Sequence, residues 1–102
     1  MTEFEVISEA IRTYGAEQQE RVAIEECAEL IQAISHKHRG RKHNIAEEIA
    51  DVEIMLEQLK IINDCEYMVN VIKAEKINRL FQRLREGEDE GIKQAVLHQK
   101  RD

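Results

Sequence analysis

Residues 22–34 read VAIEECAELIQAI, and this stretch predicts one long helix in the first half of the chain. At about 100° per residue, apolar side chains cover well over half of the helix circumference. Glu26 lies inside this apolar arc, between Val22 and Leu30. Because an isolated buried carboxylate is costly, Glu26 has to be paired, protonated or bound to a cation. A helix that is apolar on so many sides also needs more neighbours than one small monomer easily supplies.

The composition favours a single all-helical domain. The 102 residues are 42% hydrophobic and 35% charged, with no Pro and four aromatic side chains. This length suits one core, and richness in Glu, Lys, Leu, Ile and Ala without Pro is typical of helices. The formal net charge of −6 argues against nonspecific binding to nucleic acid or anionic membranes. Without a signal segment or a membrane-spanning apolar run, we expect a soluble, cytoplasmic protein.

The spacing of apolar residues predicts four helices and a tail. Their expected ranges are about Thr2 to Tyr14, Glu17 to His38, Asn44 to Ile62 and Cys65 to Arg85. We therefore expect an all-α, four-helix bundle-like domain over residues 1–86. Residues 87–102 are expected to form a charged C-terminal tail or a short docking helix.

The third predicted helix has a clear start and an apolar stripe. Asn44 followed three residues later by Glu47 is typical of a capping box. The expected core stripe comprises Ile45, Ile49, Val52, Leu56, Leu59 and Ile62.

Two pairs of carboxylates stand at helical spacing on either side of a basic turn. Glu26 and Glu29 are three residues apart, as are Glu48 and Asp51, with 18 residues between the pairs. Residues three apart project from the same side of a helix, so each pair presents two carboxylates in one direction. Taken singly, each is better explained as a solvated or ion-paired side chain. Together they predict a site for Mg²⁺ or Mn²⁺, which prefer hard oxygen ligands.

These motifs carry a resemblance to a known family. The pattern Glu25-Glu26-x-x-Glu29, an 18-residue spacer and Glu48-x-x-Asp51 resembles the signature of the MazG-like, all-α nucleoside triphosphate pyrophosphohydrolases. The resemblance implies a set of catalytic Mg²⁺ ligands, with Mn²⁺ as the alternative ion: Glu26, Glu29, Glu48 and Asp51. It implies that Glu25 acts from the outer coordination shell or positions the attacking water.

The implied activity is hydrolysis of an NTP or dNTP to a monophosphate and pyrophosphate. The resemblance covers roughly residues 20–85 and implies a MazG-type fold. Substrate contacts are expected from the fourth helix: Lys73, Lys76, Asn78 and Arg79. For Asn78, a local hydrogen bond is the simpler interpretation. The chain has no Trp, which some family members stack on the base, so the base preference stays open. The resemblance and the broad apolar arc also predict a homodimer or homotetramer.

Other functions stay open at this point. A non-catalytic helical interaction module explains the wide apolar faces but gives Glu26 no role. Phosphoribosyl-ATP pyrophosphohydrolase, from the same superfamily, would be separated by a substrate panel. The basic turn at residues 36–43 is interpreted first as a solvated loop, and second as a phosphate-attracting rim. Nucleic acid is not an expected partner, because the chain is acidic and this turn carries no aromatic side chain.

Overall fold

The computed structural model describes the backbone of residues 1–99 and the side chains of residues 1–87. This described part is all-helical, which confirms the expected all-α class, while the four-helix bundle arrangement stays a prediction. Its four helices are α1 (Glu3–Tyr14), α2 (Ala16–His38), α3 (Ile45–Ile62) and α4 (Glu66–Gln99). Among the described residues, no helix combines the length and apolar character that a bilayer crossing requires.

The chain divides into two compact units, Met1–Glu66 and Tyr67–Asp102. In the first unit α2 packs mainly against α3, and α1 packs against both. In the second unit, α4 continues through Gly87 although the sequence predicts a helix end at Arg85. Each Gly inside a helix costs only about 1 kcal/mol, so Gly87 does not have to end α4. The domain boundary at residue 86 stays a prediction, and the predicted docking side chains of the tail lie outside the described side chains.

Helices α1 and α2 are joined by a single residue, Gly15. The hydroxyl of Thr2 caps the start of α1 by accepting a hydrogen bond from the Glu5 backbone N–H at 3.1 Å. At the other end Gly15 has φ 92°, and its N–H donates to the Ile11 carbonyl at 2.8 Å. Since side chains with a Cβ rarely adopt this φ, Gly at this position allows α2 to begin immediately at Ala16.

Helices α2 and α3 end in the same backbone motif. After α2, the N–H of Gly40 donates to the Lys37 carbonyl and that of Arg41 to the His36 carbonyl, at 3.0 and 2.9 Å. This pair of bonds, with Gly40 at φ 69°, forms a Schellman motif. Asp64, at φ 48°, takes the equivalent position after α3. The short turn that follows Gly40 returns the chain so that α3 can pack along α2.

The buried part of the first unit is small and partly polar. Its buried apolar side chains come from all three helices: Ile7, Ala23, Ala33 and Met55. Three polar side chains are buried with them: Gln19, Glu48 and Gln58. The two alanines of α2 carry little side-chain volume, so their positions permit close approach of a neighbouring helix.

The buried face of α3 is not the expected apolar stripe. Glu48, Met55 and Gln58 are buried, whereas Ile49 and Leu56 of the predicted stripe are 42% and 45% exposed. That prediction is therefore wrong for these two residues. Apolar side chains surround most of α3, so the apolar spacing alone predicts that its most apolar side is buried. In the structure, packing buries instead the side that carries Glu48 and Gln58.

Candidate metal centre

Helices α2 and α3 bring three of the predicted metal ligands together. One carboxylate oxygen from each of Glu26, Glu29 and Glu48 lies within 4.8 Å of the other two. Glu26 and Glu29 project from adjacent turns of α2, and Glu48 stands near the start of α3. We call this group the carboxylate cluster. Its size is compatible with three oxygens converging on one cation.

Burial decreases across the carboxylate cluster. Glu48 is only 7% exposed, Glu26 is half-buried and Glu29 is exposed. This gradient leaves the cluster closed around Glu48 and open to solvent at Glu29.

Two oxygens of the cluster are buried without a hydrogen-bond partner. Among the described side chains and backbone, nothing donates to Glu26 Oε2 or to Glu48 Oε2. The ion pairs of the described residues involve other carboxylates, those of Glu9, Glu17 and Glu57. A buried acceptor left unsatisfied costs about 1–3 kcal/mol, and more when it is charged. Such oxygens are suited to a bound cation or to a retained proton.

The pKa of Glu26 is raised from its ordinary value of 4.5. Burial is the main cause, because it disfavours the charged form, and repulsion from Glu29, Asp51 and Glu48 adds to it. The pKa of Glu48 is also raised by burial, then by repulsion from Glu29 and Asp51. A hydrogen bond from Asn44 acts in the opposite direction and favours the Glu48 carboxylate. Without a cation, the cluster therefore holds protons more tightly than ordinary carboxylates do.

Asp51, the fourth predicted ligand, is near this group but is not one of the three converging carboxylates. It is half-buried on α3, and its charge raises the pKa of both Glu26 and Glu48. Glu25 is exposed on α2 and also lies outside the three-membered group. Their proposed parts in the site stay predictions.

Asn44 contacts the cluster, although it is not among the site residues predicted from the sequence. Its side-chain Nδ2 donates to Glu48 Oε1 at 2.7 Å. The residue does occupy the N-cap of α3, but its side chain makes no capping hydrogen bond, so the predicted capping box with Glu47 is wrong. The available signal was the four-residue spacing of Asn44 and Glu48, which places polar side chains in reach of each other at a helix start.

The four predicted substrate-binding residues are all exposed on α4, in the second unit: Lys73, Lys76, Asn78 and Arg79. Lys76 and Arg79 line a shallow groove of net positive charge on α4, whose other lining residues are Gln82, Arg83 and Glu86. A groove of this charge suits a phosphate group. The part of these residues in substrate binding stays a prediction.

Comparison with models of protein families, with curated proteins and with solved structures gave no match for this chain. The likeness to MazG-like enzymes accordingly rests on the two acidic motifs and on the helices that carry them.

Proposed function

We propose that the chain is a Mg²⁺-dependent nucleoside triphosphate pyrophosphohydrolase with a MazG-type fold. The observation that carries the proposal is the carboxylate cluster. Two of its oxygens, Glu26 Oε2 and Glu48 Oε2, are buried without a hydrogen-bond partner, and the third carboxylate, that of Glu29, lies close to them. A retained proton would satisfy one of these oxygens and remove only part of the repulsion within the group. A divalent cation would compensate both oxygens at once.

The donor set fits Mg²⁺ or Mn²⁺ better than the softer metals. Every converging group is a carboxylate, and no His or Cys of the described residues belongs to the cluster. Oxygen donors of this kind suit Mg²⁺ and Mn²⁺, whereas thiolate and imidazole donors suit zinc and copper. Glu26, Glu29 and Glu48 would hold the ion, with Asp51 as the fourth ligand that the motif implies. When bound, such an ion supplies charge neutralisation for a triphosphate and acidifies water.

The proposed reaction is hydrolysis between the α and β phosphates. A water oxygen bonds to the α-phosphorus, the bond from that phosphorus to the bridging oxygen breaks, and pyrophosphate leaves with the bond electrons. Glu25, exposed beside Glu26 on α2, is proposed to orient the water and take up its proton. The chain would accelerate the reaction by positioning and charge stabilisation rather than through a covalent intermediate.

The resemblance assigns contacts with the phosphates of the substrate to exposed side chains of α4. Lys73, Lys76 and Arg79 carry the positive charge that a triphosphate requires, and Asn78 is exposed for a contact with the base or sugar. With no Trp in the chain, stacking of the base on an indole is not available, and both NTPs and dNTPs are candidates. Two free cysteines in the described residues suit a reducing compartment, so we place the reaction in the cytoplasm.

A symmetric oligomer, either a homodimer or a homotetramer, is part of the proposal. Large apolar side chains of α2 are exposed in the single chain, with Ile24 at 70%, Ile31 at 68% and Ile34 at 42%. An apolar face of this kind is suited to a second copy of the chain. Light scattering at micromolar concentration should give a mass of at least two chains. A monomer mass would contradict this part of the proposal.

A nucleotide panel tests the proposed activity directly. The common and damaged NTPs and dNTPs, and phosphoribosyl-ATP, are incubated with Mg²⁺ and inorganic pyrophosphatase, and phosphate is detected with malachite green. Chromatography without pyrophosphatase should then show monophosphate and pyrophosphate as the primary products. Orthophosphate with a diphosphate would contradict the assignment. Preference for phosphoribosyl-ATP would select the related pyrophosphohydrolase.

A matched pair of variants links this activity to the cluster. We expect Glu48→Ala to lower turnover by at least about 100-fold, because loss of a ligand should exceed the 10–100-fold typical of outer-shell groups. Glu47→Ala, one position earlier on α3 and exposed, should keep turnover within a few-fold of the wild type. Circular dichroism should show nearly equal helicity in both. If both variants are equally active, the cluster is not the catalytic site.

The second candidate is a non-catalytic helical interaction module. The exposed apolar side chains of α2 and α4, such as Ile31 and Leu84, favour it. It assigns no role to the buried oxygens of Glu26 and Glu48. Absence of metal-dependent pyrophosphate release from every nucleotide in the panel would give it preference.

A further inference from the structure

The two oxygens of Glu48 have different surroundings. Oε1 accepts a hydrogen bond from Asn44 Nδ2 at 2.7 Å. Oε2 is buried and has no partner among the described residues. The side chain as a whole is 93% removed from solvent, since only 7% of it is exposed. Oε1 is therefore engaged by Asn44, whereas Oε2 has no partner, and one oxygen of Glu48 lies within 4.8 Å of oxygens of Glu26 and Glu29.

Asn44 donates this hydrogen bond to Glu48 and does not make the capping hydrogen bond that its N-cap position favours. An Asn at a helix N-cap ordinarily accepts a hydrogen bond from the backbone N–H two or three residues later. Asn44 is the N-cap of α3 but makes no such bond. Its side-chain amide points its donor at Glu48, while its backbone carbonyl accepts the first helical hydrogen bond from the Glu48 N–H at 3.0 Å. Asn44 thus holds Glu48 through both backbone and side chain.

We propose that Asn44 is a positioning residue that fixes the Glu48 carboxylate, so that Oε2 alone is presented to a divalent cation. The proposal rests on the proposed function of the carboxylate cluster as a cation site. A free carboxylate rotates about its last bond and can offer either oxygen or both. The Asn44 hydrogen bond stops that rotation and reserves Oε1. Outer-shell partners of this kind orient ligands and typically change metal affinity by about 10–100-fold.

Direct measurement of Mn²⁺ binding tests the proposal without any turnover. The free Mn²⁺ signal in electron paramagnetic resonance gives the dissociation constant for the full chain, and competition then gives that of Mg²⁺. We expect Asn44→Ala to weaken Mn²⁺ binding by about 10–100-fold. Asn44→Asp is nearly isosteric and suits an N-cap, but an ionised carboxylate cannot donate to Glu48. It should therefore fold and still bind Mn²⁺ at least 10-fold more weakly than the wild type.

Asn63→Ala is the matched control, because it removes an Asn from the other end of α3. Asn63 Nδ2 donates to the Leu59 carbonyl at 2.9 Å and does not contact the cluster. This variant should bind Mn²⁺ as the wild type does, even if its melting temperature falls. A double variant, Asn44→Ala with Glu48→Gln, should bind no more weakly than Glu48→Gln alone if Asn44 acts through Glu48.

The outcomes separate this inference from the proposed function. If the wild type binds Mn²⁺ and both Asn44 variants bind it equally well, the positioning role is overturned while the cation site stands. Equal weakening by Asn63→Ala would also overturn it, because the effect would then be a general one on α3. If the wild type itself binds no Mn²⁺, the cation site fails, and the role of Asn44 fails with it.

Discussion

Polar side chains interrupt the packing of α2 and α3 at two levels. The two levels differ in whether these side chains have hydrogen-bond partners. At one level Gln19 Nε2 donates to Gln58 Oε1 at 2.8 Å, and both side chains are buried. At the other level Glu26 and Glu48 each keep a buried oxygen without a partner. Gln19 stands seven residues before Glu26, about two helical turns away on the same side of α2. At the first level the two side chains are partners of each other, and at the second level two carboxylate oxygens have no partner among the described residues.

The difference indicates two kinds of buried polar group. The glutamine pair links α2 to α3 and needs nothing from outside, so its role is explained by the alignment of the two helices. Gln58 also places its Nε2 3.7 Å from the Met55 Sδ, a weak contact within α3. The carboxylate cluster has like charges in place of complementary groups, so its folded arrangement opposes stability until something positive is bound. We infer that the glutamine pair holds α2 against α3 whether or not a cation is bound at the carboxylate cluster.

Breaking the glutamine pair should have the largest effect on stability. Gln58→Ala leaves the Gln19 amide buried without its acceptor and opens a cavity beside Met55. We expect the free energy of unfolding to fall by about 2–4 kcal/mol, measured by urea denaturation. Gln18→Ala, next to Gln19 but exposed, should change it by less than about 0.5 kcal/mol. Equal midpoints for the two variants would show that the glutamine pair does not hold α2 and α3 together.

Neutralising one carboxylate of the cluster should keep or raise the stability of the metal-free protein, in contrast to the loss expected for Gln58→Ala. Glu48→Gln removes one buried charge and its repulsion with Glu29 and Asp51. In EDTA, its melting temperature should equal or exceed that of the wild type. Glu53→Gln, an exposed position on α3, controls for the loss of any acidic side chain from this acidic chain. A clear loss of stability in Glu48→Gln alone would mean that the carboxylate is held by favourable contacts.

A smaller effect is expected in the pH dependence of stability. The pKa values of Glu26 and Glu48 are raised above 4.5, mainly by burial. Between the unfolded and the raised folded pKa, the folded chain binds more protons than the unfolded chain, so stability falls as pH rises. The metal-free wild type should therefore lose stability from mildly acidic to neutral pH, as measured by urea denaturation in EDTA. Glu48→Gln should lose less over the same interval, and an identical pH profile for the two would contradict the assigned shift.

Part of this comparison could be predicted from the sequence. Glycines at the ends of the first two helices and the apolar spacing gave helix bounds within a residue or two for α1, α2 and α3. The three-residue spacing predicted that Glu26 and Glu29 share one side of α2, which depends on local geometry alone. That Glu48 of α3 joins them was permitted by the spacing and implied by the resemblance of the two motifs.

The rest depends on which sides of the helices pack together. Local spacing does not reveal that Gln19 meets Gln58, 39 residues away. It also does not choose between the capping role of Asn44 and its contact with Glu48, because both lie within reach of the same side chain. The α3 stripe was misassigned for the same reason, since Ile49 is more apolar than the residues that the packing buries.

The Mg²⁺ dependence of thermal unfolding tests the central claim most directly. Wild type, Glu48→Gln and Gln58→Ala are melted in EDTA and in millimolar Mg²⁺. Binding to the folded form alone at 100 times the dissociation constant stabilises it by about 2.7 kcal/mol. We expect a higher melting temperature with Mg²⁺ for the wild type, a similar rise for Gln58→Ala where it folds, and little rise for Glu48→Gln. If the wild type does not respond to Mg²⁺, or if Glu48→Gln gains as much, the carboxylates are ordinary acidic side chains and the cluster is not a cation site.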